Sequence, residues 1–401
     1  MKTTQLLFIW LFIVMSFNAR AFVISGKVLL ADNSPVEFAS VYLAGTTYGT
    51  STNTKGEFKF NVDVAGTYQL VVSHMSYSPY SQTLNLSNDV AGLIVRLKEK
   101  SKELQAVVVK RTDPYRKENL ELFTLKLLGA TKNRNKCAIL NPRCLYFYRD
   151  PAKNTLKAFA DSVLIIRNDA LGYLMKYHLL NFYTDKYSTS FSGYIFFEDI
   201  SPAMTDRKGL SERRNTAYYG SLMHFFRSLY TDSLKEEGFQ LFKTVEKPNQ
   251  KYEPQYLITD KSFLVKSPDY GIMRNPIFIK DSTLHIEQTQ DSLDLSINIS
   301  AVTNSKNKLL QYDKPFEVDY IRSKEDSRYF SDNSNYNGIK LKNRKQVSIL
   351  IVKKNNYGYV VAFDQTGNSR IYGEVHLAGY MAWKKGMAEW LPLDFKPMQL
   401  K

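Results

Sequence analysis

Between residues 22 and 98 the chain changes direction every few residues, and this confines it to a small β-rich architecture. Val23-Ile24-Ser25-Gly26-Lys27-Val28-Leu29-Leu30 predicts a strand, Asp32-Asn33-Ser34-Pro35 a turn, and Phe38 to Leu43 a second strand. Thr52-Asn53-Thr54-Lys55-Gly56 predicts a tight turn, since Asn and Gly tolerate positive φ. In the strand that follows, Phe58, Phe60 and Val62 recur at period two and so share a face. Tyr68, Leu70 and Val72 do the same after Gly66, and Thr83, Asn85 and Leu93 to Leu97 supply the last strands. Short strands at this spacing predict an antiparallel sandwich.

A targeting segment precedes the module. Lys2 is followed by ten apolar residues, Leu6 to Met15, and then by Ala19-Arg20-Ala21. This order predicts a secretory signal cleaved after Ala21. Ten apolar residues fall short of the roughly 20 that a spanning helix needs. The expected location is therefore outside the cytoplasm, in the periplasm or at the periphery of an outer membrane.

The order Ile24-Ser25-Gly26-Lys27-Val28, Pro35-Val36, Ala39-Ser40-Val41, Gly49-Thr50, Thr52-Asn53, Gly56-Glu57-Phe58 and Gly66-Thr67-Tyr68 resembles the carboxypeptidase-regulatory-like domain. The resemblance implies a transthyretin-like β-sandwich of the kind carried by Gram-negative envelope proteins. It does not carry catalysis over to this chain, because in enzymes that carry the module it is an appendage. A similar module precedes the plug of TonB-dependent receptors. There a short Val-rich coupling box follows it, with an acidic residue where Gln105-Ala106 stand here. Val107 to Lys110 is accordingly expected to be a buried strand or tether within a linker over 99–112. The roughly 290 residues that follow are too few for a plug and the 22-stranded barrel of such receptors.

Residues 113–401 are expected to form a β-rich α+β region, in one or two subdomains, with two amphipathic helices. Asp113-Pro114 predicts a helix start. Leu120, Phe123, Leu127 and Leu128 form its apolar stripe and Gly129 its end. A second helix is expected from Asn215 to Tyr230, with Tyr218, Leu222, Phe225, Phe226 and Leu229 on one face. Strands are expected at Leu145–Arg149, Thr155–Phe159, Val163–Arg167, Leu171–Tyr183, Phe263–Lys266, Ile277–Lys280, Leu284–Glu287, Leu293–Ile299, Val347–Lys353 and Tyr357–Phe363. Asp364-Gln365-Thr366-Gly367-Asn368 predicts a turn, and Ser331 to Gly338 a surface loop. The fold class expected for the whole chain is mainly β.

Charge is uneven. Residues 22–98 carry five basic and five acidic side chains, whereas 99–401 carry 47 and 34. This basic excess has two readings: a solvated, soluble surface, or contact with an anionic envelope surface. Nucleic acid is not an expected partner, since no binding motif accompanies the charge.

Candidate chemistry is sparse. Cys137 and Cys144 are the only cysteines and are read as a short disulfide loop or as two free thiols. His74, His178, His224, His285 and His376 show no metal-ligand spacing, and no nucleophile elbow, phosphate loop or dinucleotide fingerprint is present. No catalytic residue, cofactor or metal is expected. The ligand-contact candidates are Arg207, Arg213 and Arg214, read as preceding the second helix and as either a solvated face or contacts to a phosphate or glycan, and Tyr380, Trp383 and Trp390, an aromatic cluster read first as packing of the β region and second as a surface that stacks on sugars. The functions these features suggest are binding or scaffolding in the envelope, a glycan- or peptide-binding accessory of an uptake system, and a cryptic hydrolase.

Overall fold

In the computed structural model the described residues are 21–100, 113–185, 188–201, 206–248, 266–267, 271–272, 284–303, 305–331 and 345–398. The apolar run read as a secretory signal, Val107–Lys110, the strands expected at Phe263–Lys266 and Ile277–Lys280 (apart from Lys266), and nearly all of the loop expected at Ser331–Gly338 lie outside them.

The protein is mainly β with an N-terminal β module. In that module a three-stranded sheet of Glu57–Val62, Phe22–Leu29 and Val90–Arg96 faces a four-stranded sheet of Gly49–Ser51, Ser40–Leu43, Gly66–Ser73 and Tyr80–Leu86. The sandwich is not purely antiparallel, because Phe22–Leu29 runs parallel to Val90–Arg96. Ile24, Val28, Val41, Leu43, Phe58, Phe60, Val62, Tyr68, Leu70 and Val72 fill the space between the sheets. The tight turn forms at the expected place. Asn53 Oδ1 accepts from the backbone N–H groups of Lys55 and Glu57, each at 2.9 Å. Gly56 turns with φ +72°, and a Cβ there would stand 2.5 Å from the Val28 carbonyl oxygen. The short strand Lys98–Glu99 pairs with Tyr77–Ser78, so the module runs into the segment read as linker.

The remainder, here called the body, has one continuous hydrophobic core. Helix α1, Arg116–Leu128, buries Phe123, Leu127 and Leu128. It starts two residues after Pro114. Asp113 organises the preceding turn, its carboxylate accepting from Tyr115 N at 2.9 Å and from Asn119 Nδ2 at 3.0 Å. A six-stranded sheet follows, built on the long strand Tyr173–Thr184. Thr189–Asp199 pairs with one edge of that strand. Leu164–Asn168 and Thr155–Ala160 share its other edge, and they carry Cys137–Ile139 and Leu145–Asp150 in turn. A five-stranded sheet (Leu284–Ser292, Phe239–Pro248, Phe316–Lys324, Lys345–Val352, Val375–Gly379) and a four-stranded sheet (Ile299–Ala301, Lys308–Gln311, Gly358–Phe363, Lys354–Asn355) complete the body.

Two expectations are corrected. The second helix is two helices, α2 at Arg207–Tyr218 and α3 at Leu222–Tyr230. They break at Gly220, whose φ is +72°, and Ser221 caps α3 by accepting from His224 N at 3.2 Å. Leu293–Ile299 is not a continuous strand. Asp294 Oδ1 accepts from Ser296 N at 2.8 Å, and the resulting turn hands over to the strand at Ile299. Two short helices, α4 at Ser327–Ser331 and α5 at Tyr380–Lys384, lie beside the five-stranded sheet.

Candidate functional site at the seam of module and body

Strand Gly66–Ser73 should bury only one face if the module stood alone. Instead Thr67, Val71 and Ser73 are buried as well as Tyr68, Leu70 and Val72. The second face is covered by the body. His178 Nε2 and Ser73 Oγ are 2.7 Å apart, and Tyr194 OH and Ser81 Oγ 2.8 Å. Phe196 packs on Tyr42 with ring centroids 5.1 Å apart. His178, Tyr194 and Phe196 all belong to the outer face of the six-stranded sheet, opposite the core residues Tyr177, Ile195 and Phe197.

The backbone continues the contact. Gly45 N donates to Ile195 O at 2.7 Å, Phe197 N to Thr46 O at 3.0 Å, and Leu393 N to Gly45 O at 2.7 Å. Asp394 clasps Thr47, accepting from its N–H at 2.9 Å and from its hydroxyl. At the far end, the turn after Gly358–Phe363 reaches the module. Asp364 Oδ2 accepts from Thr67 N at 3.3 Å, Asn368 Nδ2 donates to Thr67 O at 3.3 Å, and Gln365 Nε2 donates to Ala65 O at 2.7 Å.

Arg227 of α3 ties the two body segments that grip the module. Its guanidinium donates to Thr366 O at 2.9 Å, Phe395 O at 2.9 Å and Leu393 O at 2.8 Å, and it lies over the Tyr218 ring at 5.2 Å. Electrostatics mark the seam as desolvated. Burial, then the Lys100 charge, pushes His178 down to about 4. Burial raises Asp364 above the usual carboxylate range, against the hydrogen bonds that it accepts from Thr366, Thr67 and Asn368. Chemically, these groups hold two domains in one orientation; each is engaged in a bond within the protein.

The expected ligand contacts fall elsewhere. Arg207 is exposed in the first turn of α2, so the basic residues do not precede the helix but lie in it. Arg213 donates to Ala170 O at 2.7 Å and pairs with Asp206 at 3.0 Å. Arg214 donates to Leu171 O at 2.7 Å, pairs with Asp199 at 3.0 Å and stacks over Tyr173 at 4.1 Å. Both arginines fasten α2 to the loop ahead of Tyr173–Thr184. Tyr380, Trp383 and Trp390 do not form one cluster. Tyr380 is buried against Trp383 and Tyr329, with ring centroids at 5.4 and 5.3 Å, and its hydroxyl accepts from Asp326 N at 3.1 Å. Trp390 lies apart, against Phe191 at 5.9 Å and under Arg370 at 4.5 Å, and its indole donates to Lys385 O at 2.9 Å.

Cys137 and Cys144 are free thiols. Cys137 opens a strand paired with Leu164–Asn168, whereas Cys144 leads into the hairpin Leu145–Ala160, so the two chains diverge. Burial pushes the Cys137 thiol up to about 12 and raises Cys144, leaving both as thiols. Lys384, which the sequence did not single out, caps α2 from the interior by donating to Thr216 O at 2.7 Å and Tyr219 O at 3.4 Å. Among the described residues, no group of three or more His, Cys, Asp and Glu is placed to hold a metal, and no helix is long and apolar enough to cross a membrane.

Residues 24–109 match the family model of the CarboxypepD_reg-like domain. The N-terminal module is a CarboxypepD_reg-like domain. The match continues past the described strand Lys98–Glu99 and covers about a fifth of the chain. No curated protein matches the chain. Solved structures with some likeness include a type II cohesin–X-dockerin complex from Acetivibrio cellulolyticus, 17% identical over 27% of this chain and 76% of that one, with a TM-score of 0.19. They include a DUF3823 family protein from Bacteroides ovatus, 10% identical over 46% and 85%, with a TM-score of 0.14. A Bacteroides uniformis protein with a suggested carbohydrate-binding role is 10% identical over 74% and 87%, with a TM-score of 0.16. None of the three bears on the arrangement of the whole chain. The distinctive structural fact is the CarboxypepD_reg-like domain's fixed place on the body.

Proposed function

We propose that this chain is a non-enzymatic cell-envelope protein that binds a partner through its β domains, with the CarboxypepD_reg-like domain and the body acting as one rigid unit. The observation that carries this reading is the burial of the domain's second sheet face at the seam. A tethered accessory would keep that face solvated, whereas here Thr67, Val71 and Ser73 are buried against the body. A surface built from two domains in a fixed relation suits recognition of an extended partner, since preorganisation lowers the entropic cost of binding. The polar seam groups hold that relation and are buried in doing so. Export rests on the signal pattern ending at Ala21 and places the partner in the envelope.

Cross-linking in intact cells that carry the tagged full chain tests the proposal. The expected result is a chain that fractionates with the envelope and forms a discrete cross-linked species with another envelope component. Recovery in the cytosol, or of the uncross-linked chain alone, overturns it.

A further inference from the structure

The part of the six-stranded sheet left uncovered by the described residues of the CarboxypepD_reg-like domain carries a row of aromatic rings. In the hairpin Leu145–Asp150 and Thr155–Ala160, Tyr146 stands opposite Phe159 and Tyr148 opposite Lys157; Lys157 in turn stands opposite Tyr183 of the long central strand. Leu145, Leu156, Ala158 and Phe182 are buried in the core, so strand alternation turns these five side chains to the outer face. Tyr148 is 57% exposed and Phe159 44%. Rings set on alternate positions of paired strands are held a few ångströms apart by the sheet, which gives a preformed platform rather than a mobile cluster.

The polar groups around the rings are specific. Tyr146 donates its hydroxyl proton to Asp161 Oδ2 at 2.9 Å and Tyr183 donates to Asp185 Oδ2 at 3.1 Å, placing a carboxylate at each end of the row. Lys157 stands between the rings. The row is also continuous with the seam. Lys100 of the domain donates to Asp161 O at 3.5 Å, and the outer face of the same sheet holds the His178–Ser73 and Tyr194–Ser81 contacts. The row therefore adjoins the Lys100 contact and shares its sheet face with the seam.

We propose that this row is a glycan-binding platform, with Tyr148 and Phe159 stacking on sugar rings, Lys157 donating to hydroxyl oxygens, and Asp161 and Asp185 accepting from hydroxyl groups. The chemistry matches a polyhydroxylated ring with apolar C–H faces: exposed aromatic faces for the latter, donors and acceptors interleaved for the former. Carboxylates at both ends disfavour an anionic lipid surface. The inference rests on the non-enzymatic binding role proposed above and names the ligand class.

Native affinity electrophoresis of the full chain, in gels containing xylan, mixed-linkage β-glucan, glycogen or chondroitin sulfate, tests it together with pelleting on purified peptidoglycan sacculi. At least one of these probes is expected to retain the protein. Tyr148→Ala with Phe159→Ala should weaken that retention by at least about tenfold, from two lost ring contacts. Phe159→Tyr should keep it, and Tyr357→Ala, a 75% exposed aromatic of the four-stranded sheet's hairpin, should leave it unchanged. Thermal melts of each variant separate lost binding from lost fold. Retention by none of the probes, equal retention of the double variant, or the same variant dependence on phosphatidylglycerol vesicles overturns the platform. If the envelope cross-link persists when glycan retention is absent, the platform fails and the binding role stands.

Discussion

His178 shows how one residue takes its role from chain far away. In the sequence it sits in an alternating segment, Gly172 to Leu179, and reads as an ordinary strand residue. In the structure it meets Ser73, 105 residues away. Its value near 4 against an ordinary 6.5 means that the folded protein binds a proton less readily than the unfolded chain between those pH values. Stability from this group is present above about 6.5 and is lost as pH falls through about 4. The full shift corresponds to on the order of 3 kcal/mol. His224 adds to the same window. Its Nδ1 accepts from Gly220 N at 3.1 Å, its Nε2 lies 3.1 Å from Glu237 Oε2, and burial holds it down at about 4 despite Glu237. The glutamine variant, His178→Gln, keeps a polar group for Ser73 and removes the titration. Thermal melts from pH 7 to pH 4.5 are expected to fall less steeply for it than for the wild type, and equal slopes would count against the seam role. The residue scale also shows why some positions were legible and others not. Phe58, Phe60 and Val62 announce a buried face through local period two. Thr67 and Ser73 are polar, alternate with apolar neighbours and look solvated; only distant segments, the Asp364–Asn368 turn for Thr67 and the six-stranded sheet for Ser73, bury them. Arg227 carries no local sign at all, because its three carbonyl partners come from segments more than 130 residues on.

At the scale of elements, the junction of α2 and α3 is a tightly constrained turn of the body. The apolar spacing of Tyr218, Leu222, Phe225, Phe226 and Leu229 is continuous across it, so periodicity alone predicts one helix. Gly220-Ser221 was the available signal for two: a residue free to adopt positive φ, then a helix N-cap. The break turns the Gly220 N–H to His224 and brings the glycine against the five-stranded sheet. A Cβ at Gly220 would stand 2.3 Å from Gln346 Oε1 and 2.8 Å from Tyr320 Cδ1. Gly220→Ala therefore combines a left-handed backbone penalty with a steric clash, for an expected loss of about 2–4 kcal/mol. Urea denaturation should show a lowered midpoint with an unchanged slope, and a midpoint equal to the wild type would refute the junction's role. The same local logic explains Leu293–Ile299, where apolar residues suggested a strand but Asp294 followed by Ser296 made a turn.

For the whole molecule, the legible part was the module and the hidden part its attachment. Turn chemistry at Asn53 to Gly56 and short alternating strands are local, so the CarboxypepD_reg-like domain could be read directly. The seam is made by pairs such as Thr47 with Asp394, 347 residues apart, and no local pattern encodes them. Its energetics predict coupled unfolding. Asp394 satisfies two donors of Thr47, and Arg227 holds the neighbouring carbonyls of Leu393 and Phe395, so the C-terminal segment acts as a strap over the domain. Removing the carboxylate leaves the half-buried Thr47 N–H without its acceptor, a cost of about 1–3 kcal/mol. Phe196→Ala removes the ring that packs on Tyr42 and takes a further share of the buried contact. The wild type should show one calorimetric transition, with the domain and the body melting together. Asp394→Ala combined with Phe196→Ala should resolve two, because the domain retains its own core of Ile24, Phe58, Leu70 and Val72 and no longer borrows stability from the seam. Two transitions already present in the wild type would mean that the seam is too weak to couple the domains. The rigid binding unit would then give way to a tethered module.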